Sequence, residues 1–368
     1  MEKIKYVTLS KNFFDIKKDL FSRIKIVGNQ GSFILGKDVD RFENELKKFI
    51  KSKYVATCAN GTDAIEISLQ ILNIQRNDEV IITSNTWLSV ANAIANIGAI
   101  PRFVDIDKSL NVDLKKLEKS ISNKTKCIII THLNGLPVNF NKIIRITKKK
   151  GIKIIEDCSQ AIGSKNFGIH VGNSANVATY SLHPTKNLGV FGDGGFIATN
   201  DKQIYQKFLI MRNNGLINRD KSKFIGQNSR LDSFQAIVGS LLLKTLNKRI
   251  KKRQQNANLY YKKLVKINQI KSFPQEYTQN KTHTYHRFVI QCESRNKLLK
   301  YLIDKGIEAK IHYPVNIHEQ IPFKKLKNSH LKFTKSLNHK TLSLPINEHL
   351  SLKKINSICD KIKQFYNE

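Results

Sequence analysis

Short β-branched runs alternate with helix-patterned stretches along the first 200 residues, and few architectures accept that order. Lys53 to Thr57, Glu79 to Thr83, Arg102 to Asp105, Lys126 to Thr131 and Ile152 to Glu156 read as strands. Thr62 to Leu72, Leu88 to Ile97, Leu114 to Ser120 and Ile143 to Lys150 read as helices, with Gly98 and Gly151 stopping two of them. Val177 to Ser181 and Gly195 to Thr199 complete the strand set. Strands separated by helices predict a mostly parallel sheet covered by helices, an α/β fold. Leu231 to Val265 reads as one long amphipathic helix without proline. Beyond it, strands at Tyr285 to Gln291 and Ile307 to His312 and helices at Arg295 to Lys305 and Leu352 to Tyr366 predict a smaller α+β lobe. The expected division is a large domain over 1–245 and a small C-terminal domain over 246–368.

The chain is long enough, at 368 residues, for two hydrophobic cores. No apolar stretch reaches the ~20 residues of a membrane-spanning helix. The start, Met1-Glu2-Lys3-Ile4-Lys5, lacks the apolar core of a signal peptide. Five cysteines without a CxxC pair make a disulfide framework a poor reading, so a reducing cytoplasm is expected. The net charge is +34, and only 12 of 63 basic residues are arginine. Lysine, asparagine and isoleucine rise together, as AT-rich codon usage produces. The competing explanation is a polyanionic partner. The basic runs Lys148-Lys149-Lys150 and Lys248 to Arg253 sit beside apolar periodic segments, as solvated helix faces do. No helix-turn-helix, zinc-finger or RNA-binding signature accompanies them, so no nucleic-acid partner is expected.

Three segments carry chemistry. Asn60-Gly61-Thr62-Asp63-Ala64 joins a strand to a helix. Gly61 lets the backbone approach a ligand, Thr62 is a suitable N-cap, and the free N–H groups of a helix start suit a phosphate. An ordinary Asn-Gly turn would read the same way. Asp157 follows the most apolar strand, at the strand end where open α/β sheets bind ligands. A carboxylate there needs a cation or serves as a helix cap. Lys186 lies in Ser181-Leu182-His183-Pro184-Thr185-Lys186-Asn187-Leu188-Gly189, ahead of Gly192-Asp193-Gly194-Gly195. A desolvated lysine amine forms Schiff bases with carbonyls, whereas a surface lysine has no such role. A phosphate cradle, a buried carboxylate and a loop lysine, in that order, are the parts pyridoxal phosphate requires.

The chain resembles the DegT/DnrJ/EryC1/StrS family of sugar aminotransferases from about residue 8 onward. The motifs above carry the resemblance, together with Gly31-Ser32-Phe33-Ile34-Leu35-Gly36, Glu156-Asp157-Cys158-Ser159-Gln160-Ala161, Gly226-Gln227-Asn228-Ser229-Arg230-Leu231-Asp232 and His312-Tyr313-Pro314. It implies an aspartate-aminotransferase-like fold (pyridoxal phosphate fold type I). By resemblance, Lys186 is the Schiff-base lysine, Asp157 the partner of the pyridinium nitrogen, and Gln160 the contact to the ring hydroxyl. Gly61, Thr62 and Ser181 take the phosphate. Trp87 stacks on the ring where the family more often has Phe or Tyr. Asn228 reaches the phosphate of the neighbouring subunit, which implies a homodimer. His183, Arg230, Tyr313 and His318 are candidates for the substrate, and His132 is a further one. His283 and His286 lack partners at metal spacing, so no metal is expected.

The implied reaction moves an amino group from L-glutamate to a nucleotide-linked keto sugar, with pyridoxamine phosphate between the two halves. Two rivals stand beside it. One is the family's dehydratase branch, which has histidine in place of the lysine. The other is a regulatory or nucleic-acid-binding protein exploiting the positive charge. Lys186 opposes the first, and the combination of Lys186, Asp157 and Thr62 opposes the second.

Overall fold

In the computed structural model of the chain, which describes residues 3–148, 150–326 and 330–367, the β-branched runs form one seven-stranded sheet. Met1, Glu2 and Lys149 lie outside the described residues. The strands are β1 (Tyr54–Cys58), β2 (Glu79–Thr83), β3 (Ile100–Val104), β4 (Thr125–Thr131), β5 (Lys153–Asp157), β6 (Val177–Ser181) and β7 (Gly195–Thr199). Their order is β1-β7-β6-β5-β4-β2-β3. Strands β6, β5, β4, β2 and β3 run parallel, and β7 lies antiparallel to β6 and β1.

Period-two alternation sends neighbouring side chains to opposite faces. Cys127 and Ile129 face the core shared with α3 (Gly61–Ile71) and α4 (Ser89–Asn96). Ile128 and Ile130 face a core on the other side, shared with the helices Leu114–Ser120 and Phe140–Lys148. Near β1, β6 and β7 that second face is covered instead by Leu9–Gln30, Lys37–Ile50 and Ser233–Leu243. A separate core gathers around a three-stranded antiparallel sheet of Ile270–Ser272, Phe288–Cys292 and Thr341–Leu344. Ile4 joins this C-terminal core through a bridge to Ile307. Among the described residues, no helix is long and apolar enough to cross a membrane.

Three sequence expectations change. The helix expected from Leu231 to Val265 is two helices, Ser233–Leu243 and Leu246–Leu264. The break falls at Thr245, whose hydroxyl bonds back to the Leu242 carbonyl at 3.3 Å in place of the regular ladder. The strand expected from Tyr285 starts at Phe288, because Tyr285 has φ +46° and cannot be extended. Ile307 to His312 is not a strand; it holds only isolated bridges from Ile307 to Ile4 and from Lys310 to Ser343.

Candidate active site

The C-terminal ends of the sheet strands open into a cavity of about 310 Å³. Its lining comes from five places: the start of α3, the start of α4, the end of β5, the loop between β6 and β7, and the small C-terminal lobe.

At one end lies the N-terminus of α3. Asn60, and not Thr62, is its cap: the Asn60 side chain accepts a hydrogen bond from the Asp63 amide at 2.9 Å. Thr62 is the second residue of the helix, where the backbone N–H has no partner within the helix, and it lines the cavity. Backbone crowding explains two glycines here. A Cβ on Gly61 would lie 2.8 Å from the Ser181 Cβ, and one on Gly195 would lie 2.4 Å from the Asn60 carbonyl carbon. The helix start is therefore pressed against the end of β6, which places Ser181 beside the free N–H groups. Such a concavity suits a phosphate.

Asp157 ends β5 and is 3% exposed. One carboxylate oxygen accepts from the Thr131 hydroxyl at 3.1 Å and the other from the Ser159 amide at 3.1 Å. Gln160 follows, its carbonyl accepting from the Asn134 amide at 2.9 Å. Its amide group points toward the Tyr313 hydroxyl at 3.4 Å.

Lys186 rides on the β6–β7 connection. That loop is pinned at its base by the Leu182 amide to the Gly194 carbonyl and by the Val190 amide to the Leu182 carbonyl, each 2.8 Å. Among the described residues Lys186 has no ion pair, although Asp157 lines the same cavity. Burial first, and then the Arg287 guanidinium, lower its amine to about 8 against the opposing influence of Asp157. The amine is thus a much better nucleophile at neutral pH than a solvated lysine.

Trp87 projects over the cavity, 58% exposed, with its ring 5.9 Å from that of Tyr313. His183 also lines the cavity, and burial is the main cause that keeps its imidazole below the ordinary value. His318 lies outside the lining. It is buried against Phe103, with Nδ1 2.6 Å from the Ser84 hydroxyl. Arg230 is also outside, donating to the Asn213 side chain at 3.0 Å. Asn228 is exposed and does not line its own chain's cavity. Its neighbour Ser229 is tied to Asp63 on α3 at 2.7 Å.

His132, Glu156 and Cys158 are the one buried trio at metal-binding distance among the described residues. Their polar atoms are committed elsewhere. His132 Nδ1 accepts from the Val138 amide, leaving Nε2–H to donate to Glu156 at 3.0 Å. Burial also pushes the Cys158 thiol up, away from the thiolate that a metal needs.

Sequence reading did not single out Arg287, Thr131 or Asp193. Arg287 and Asp193 line the cavity, and Thr131 holds Asp157. Asp193 stood inside a quoted motif. Arg287 carried no local signal, because the fold of the C-terminal lobe brings it in.

A family model described as the DegT/DnrJ/EryC1/StrS aminotransferase family matches residues 15–363. The chain belongs to this family. It is 34% identical over 362 residues to the pleiotropic regulatory protein of Geobacillus stearothermophilus, covering 97% of each chain. It is 32% identical over 350 residues to the dTDP-3-amino-3,6-dideoxy-alpha-D-galactopyranose transaminase of Aneurinibacillus thermoaerophilus, covering 95% of this chain and 96% of that one. The crystal structure of NtdA from Bacillus subtilis with bound pyridoxamine phosphate superposes with a TM-score of 0.94 at 27% identity, covering 100% of this chain and 86% of that one. The protein is an aminotransferase dependent on pyridoxal phosphate. The residues present fit that group: a helix start with no room for a Cβ at Gly61, a lysine with a lowered pKa, and a fixed buried carboxylate share one cavity.

Proposed function

We propose that this chain transfers the amino group of L-glutamate to a keto sugar carried on a nucleoside diphosphate, as a cytoplasmic homodimer. The observation that carries the reading is the meeting of Lys186, Asp157 and the α3 N-terminus in a single cavity. The transaminase name of the Aneurinibacillus relative supports the sugar acceptor. The lysine at position 186 speaks against a dehydratase, and the complete site speaks against a purely regulatory role.

When bound, pyridoxal phosphate supplies an electron sink for the pair left behind by a departing Cα proton. Gly61, Thr62 and Ser181 would hold the phosphate through backbone N–H groups and hydroxyls. Asp157, fixed by Thr131 and Ser159, would keep a proton on the ring nitrogen. Trp87, in the cavity lining, would offer its ring to one face of the cofactor. Lys186 would hold the cofactor's carbonyl through its amine, and that amine, when free, would take up and release the donor's Cα proton. The same residues would serve the keto sugar in the opposite direction.

The dimer is supported by apolar surface. Phe14, Phe21 and Ile26 are exposed on the first helix, and so are Phe33 and Ile34 after it. Ile225, three residues before Asn228, is 96% exposed. Such a concentration favours a partner. If Asn228 completes the partner's phosphate site, mixing Lys186→Ala with Asn228→Ala chains places both defects in one site and restores up to half of the activity per heterodimer. A monomer in sedimentation at working concentration defeats this.

The test of the function is a half-reaction screen. L-glutamate should abolish the visible absorbance of the bound cofactor, and one nucleotide keto sugar from a panel should restore it. Restoration by simple 2-oxo acids alone would refute the sugar acceptor.

A further inference from the structure

We infer that Arg287 is the carboxylate-binding residue of the active site, holding the carboxylate of a substrate beside the carbon that reacts at Lys186. Arg287 takes this role only if amino transfer occurs in this cavity, as read above.

The four buried arginines show how Arg287 differs from them. Arg212 pairs with Glu43 at 2.6 Å, Arg249 with Asp15 and Glu348 at 3.1 Å each, and Arg253 with Glu348 at 2.8 Å. Arg295 gives its N–H groups to the Thr341 and Asn338 carbonyls. Arg287 is half-buried in the cavity wall and has no ion pair among the described residues. Among the described residues its side chain donates one hydrogen bond, to the Tyr313 hydroxyl at 2.9 Å. A guanidinium carries five N–H donors, so most of the fork stays open toward the cavity.

Its orientation is fixed. The guanidinium stacks on the Tyr313 ring, 5.0 Å from the centroid. Its amide is bonded to the Asn134 carbonyl, and the next residue, Phe288, is fully buried at the start of a strand. A planar, immobilised fork matches the two oxygens of a carboxylate. Two acids, Asp157 and Asp193, share the cavity lining, and neither forms an ion pair with Arg287 among the described residues. The phosphate-binding helix start belongs to another element, so the two anionic sites are separate parts of one cavity. Arg287 and Lys186 line the same cavity, so a substrate whose reacting carbon sits at Lys186 can present its carboxylate to the guanidinium.

Two substrates can bring that carboxylate: the amino acid donor, or a sugar bearing an acid group. Calorimetric titration of the cofactor-loaded enzyme separates them without turnover. Glutarate has both carboxylates of glutamate and no amine. UDP-glucuronate and UDP-glucose differ by one carboxylate. If the donor is the source, R287Q weakens glutarate binding by roughly ten- to hundredfold, the range of a charge-assisted hydrogen bond. R287K, which keeps charge and loses the fork, falls between. If the sugar is the source, wild type prefers UDP-glucuronate to UDP-glucose and R287Q loses the preference. Equal binding of all these ligands by wild type and both variants, each with an unchanged melting temperature, overturns the inference. Absence of any absorbance change on adding L-glutamate to wild type defeats the donor reading instead, and leaves these titrations to judge Arg287.

Discussion

Glu156 and Asp157 are adjacent on one strand, and their side chains leave the sheet on opposite faces. Beneath the sheet, Glu156 is saturated: it accepts from the Gly172, Ser174 and Ala175 amides at 2.7–3.0 Å and from His132. It knits the 172–175 turn to the strand and has nothing left to offer a ligand. Above, Asp157 accepts two hydrogen bonds and faces a cavity with two cations that lack an ion pair. The same contrast separates Arg212, buried with Glu43, from Arg287. Saturated charges hold the fold, and charges with spare capacity are held in place for a ligand.

That comparison can be broken most sharply at Lys186. Lys186→Ala should lower turnover by roughly four orders of magnitude or more, with an undiminished melting temperature, since a desolvated amine contributes no stabilising pair. Substantial steady-state transamination by the purified variant would remove Lys186 from the chemistry. Asp157→Asn keeps the shape and deletes the charge. The glutamate half-reaction, followed by stopped-flow absorbance, should slow by roughly a thousandfold while cofactor loading changes little. A wild-type rate would reduce Asp157 to a turn residue like its neighbour.

Glu156→Ala tests the other face. It leaves His132 and three amides without their acceptor, so unfolding in urea should become easier by about 3 kcal/mol. The fraction that remains folded should show normal kinetic constants. Normal stability with collapsed activity would invert the comparison. A smaller effect comes from pH. The neutral Lys186 amine captures the cofactor, and its pKa is about 8. Below that value the capture rate of the cofactor-free protein should rise roughly tenfold per pH unit, and above it the rate should level off. Because Arg287 lowers that pKa, R287Q should move the bend to higher pH. Trp87→Phe is the mildest change. It retains an aromatic cover, and kcat should stay within about threefold of wild type.

Much of this was legible in the sequence wherever a local rule governs. Strands β2 and β6 and the helix Leu114–Ser120 fall where apolar alternation and glycine stops put them. The strand-end segments around Gly61, Asp157 and Lys186 could be found because each sits beside a strand with a strong pattern. Local rules failed where distant contacts decide. Thr245 interrupts an apolar helix pattern, and Ile307 to His312 has strand composition but no continuous neighbour to pair with. Arg287 stands in an apolar stretch like many others, and only its lean on Tyr313 turns it toward the site.

The antiparallel strand β7 has one more consequence, which concerns the order of events during synthesis. Strand β1 lies at the sheet edge, and its only neighbour is β7, roughly 140 residues later in the chain. Until Gly195 to Thr199 has left the ribosome, the segment that carries Asn60 and Gly61 has no sheet to join. Non-local pairing of this kind forms late and slowly. The strand that closes the sheet also returns the chain from the Lys186 loop, so one late zippering event brings both ends of the cofactor's seat together. A nascent chain shorter than about 200 residues therefore has no place to hold the cofactor, and cofactor capture marks the completion of this half of the molecule.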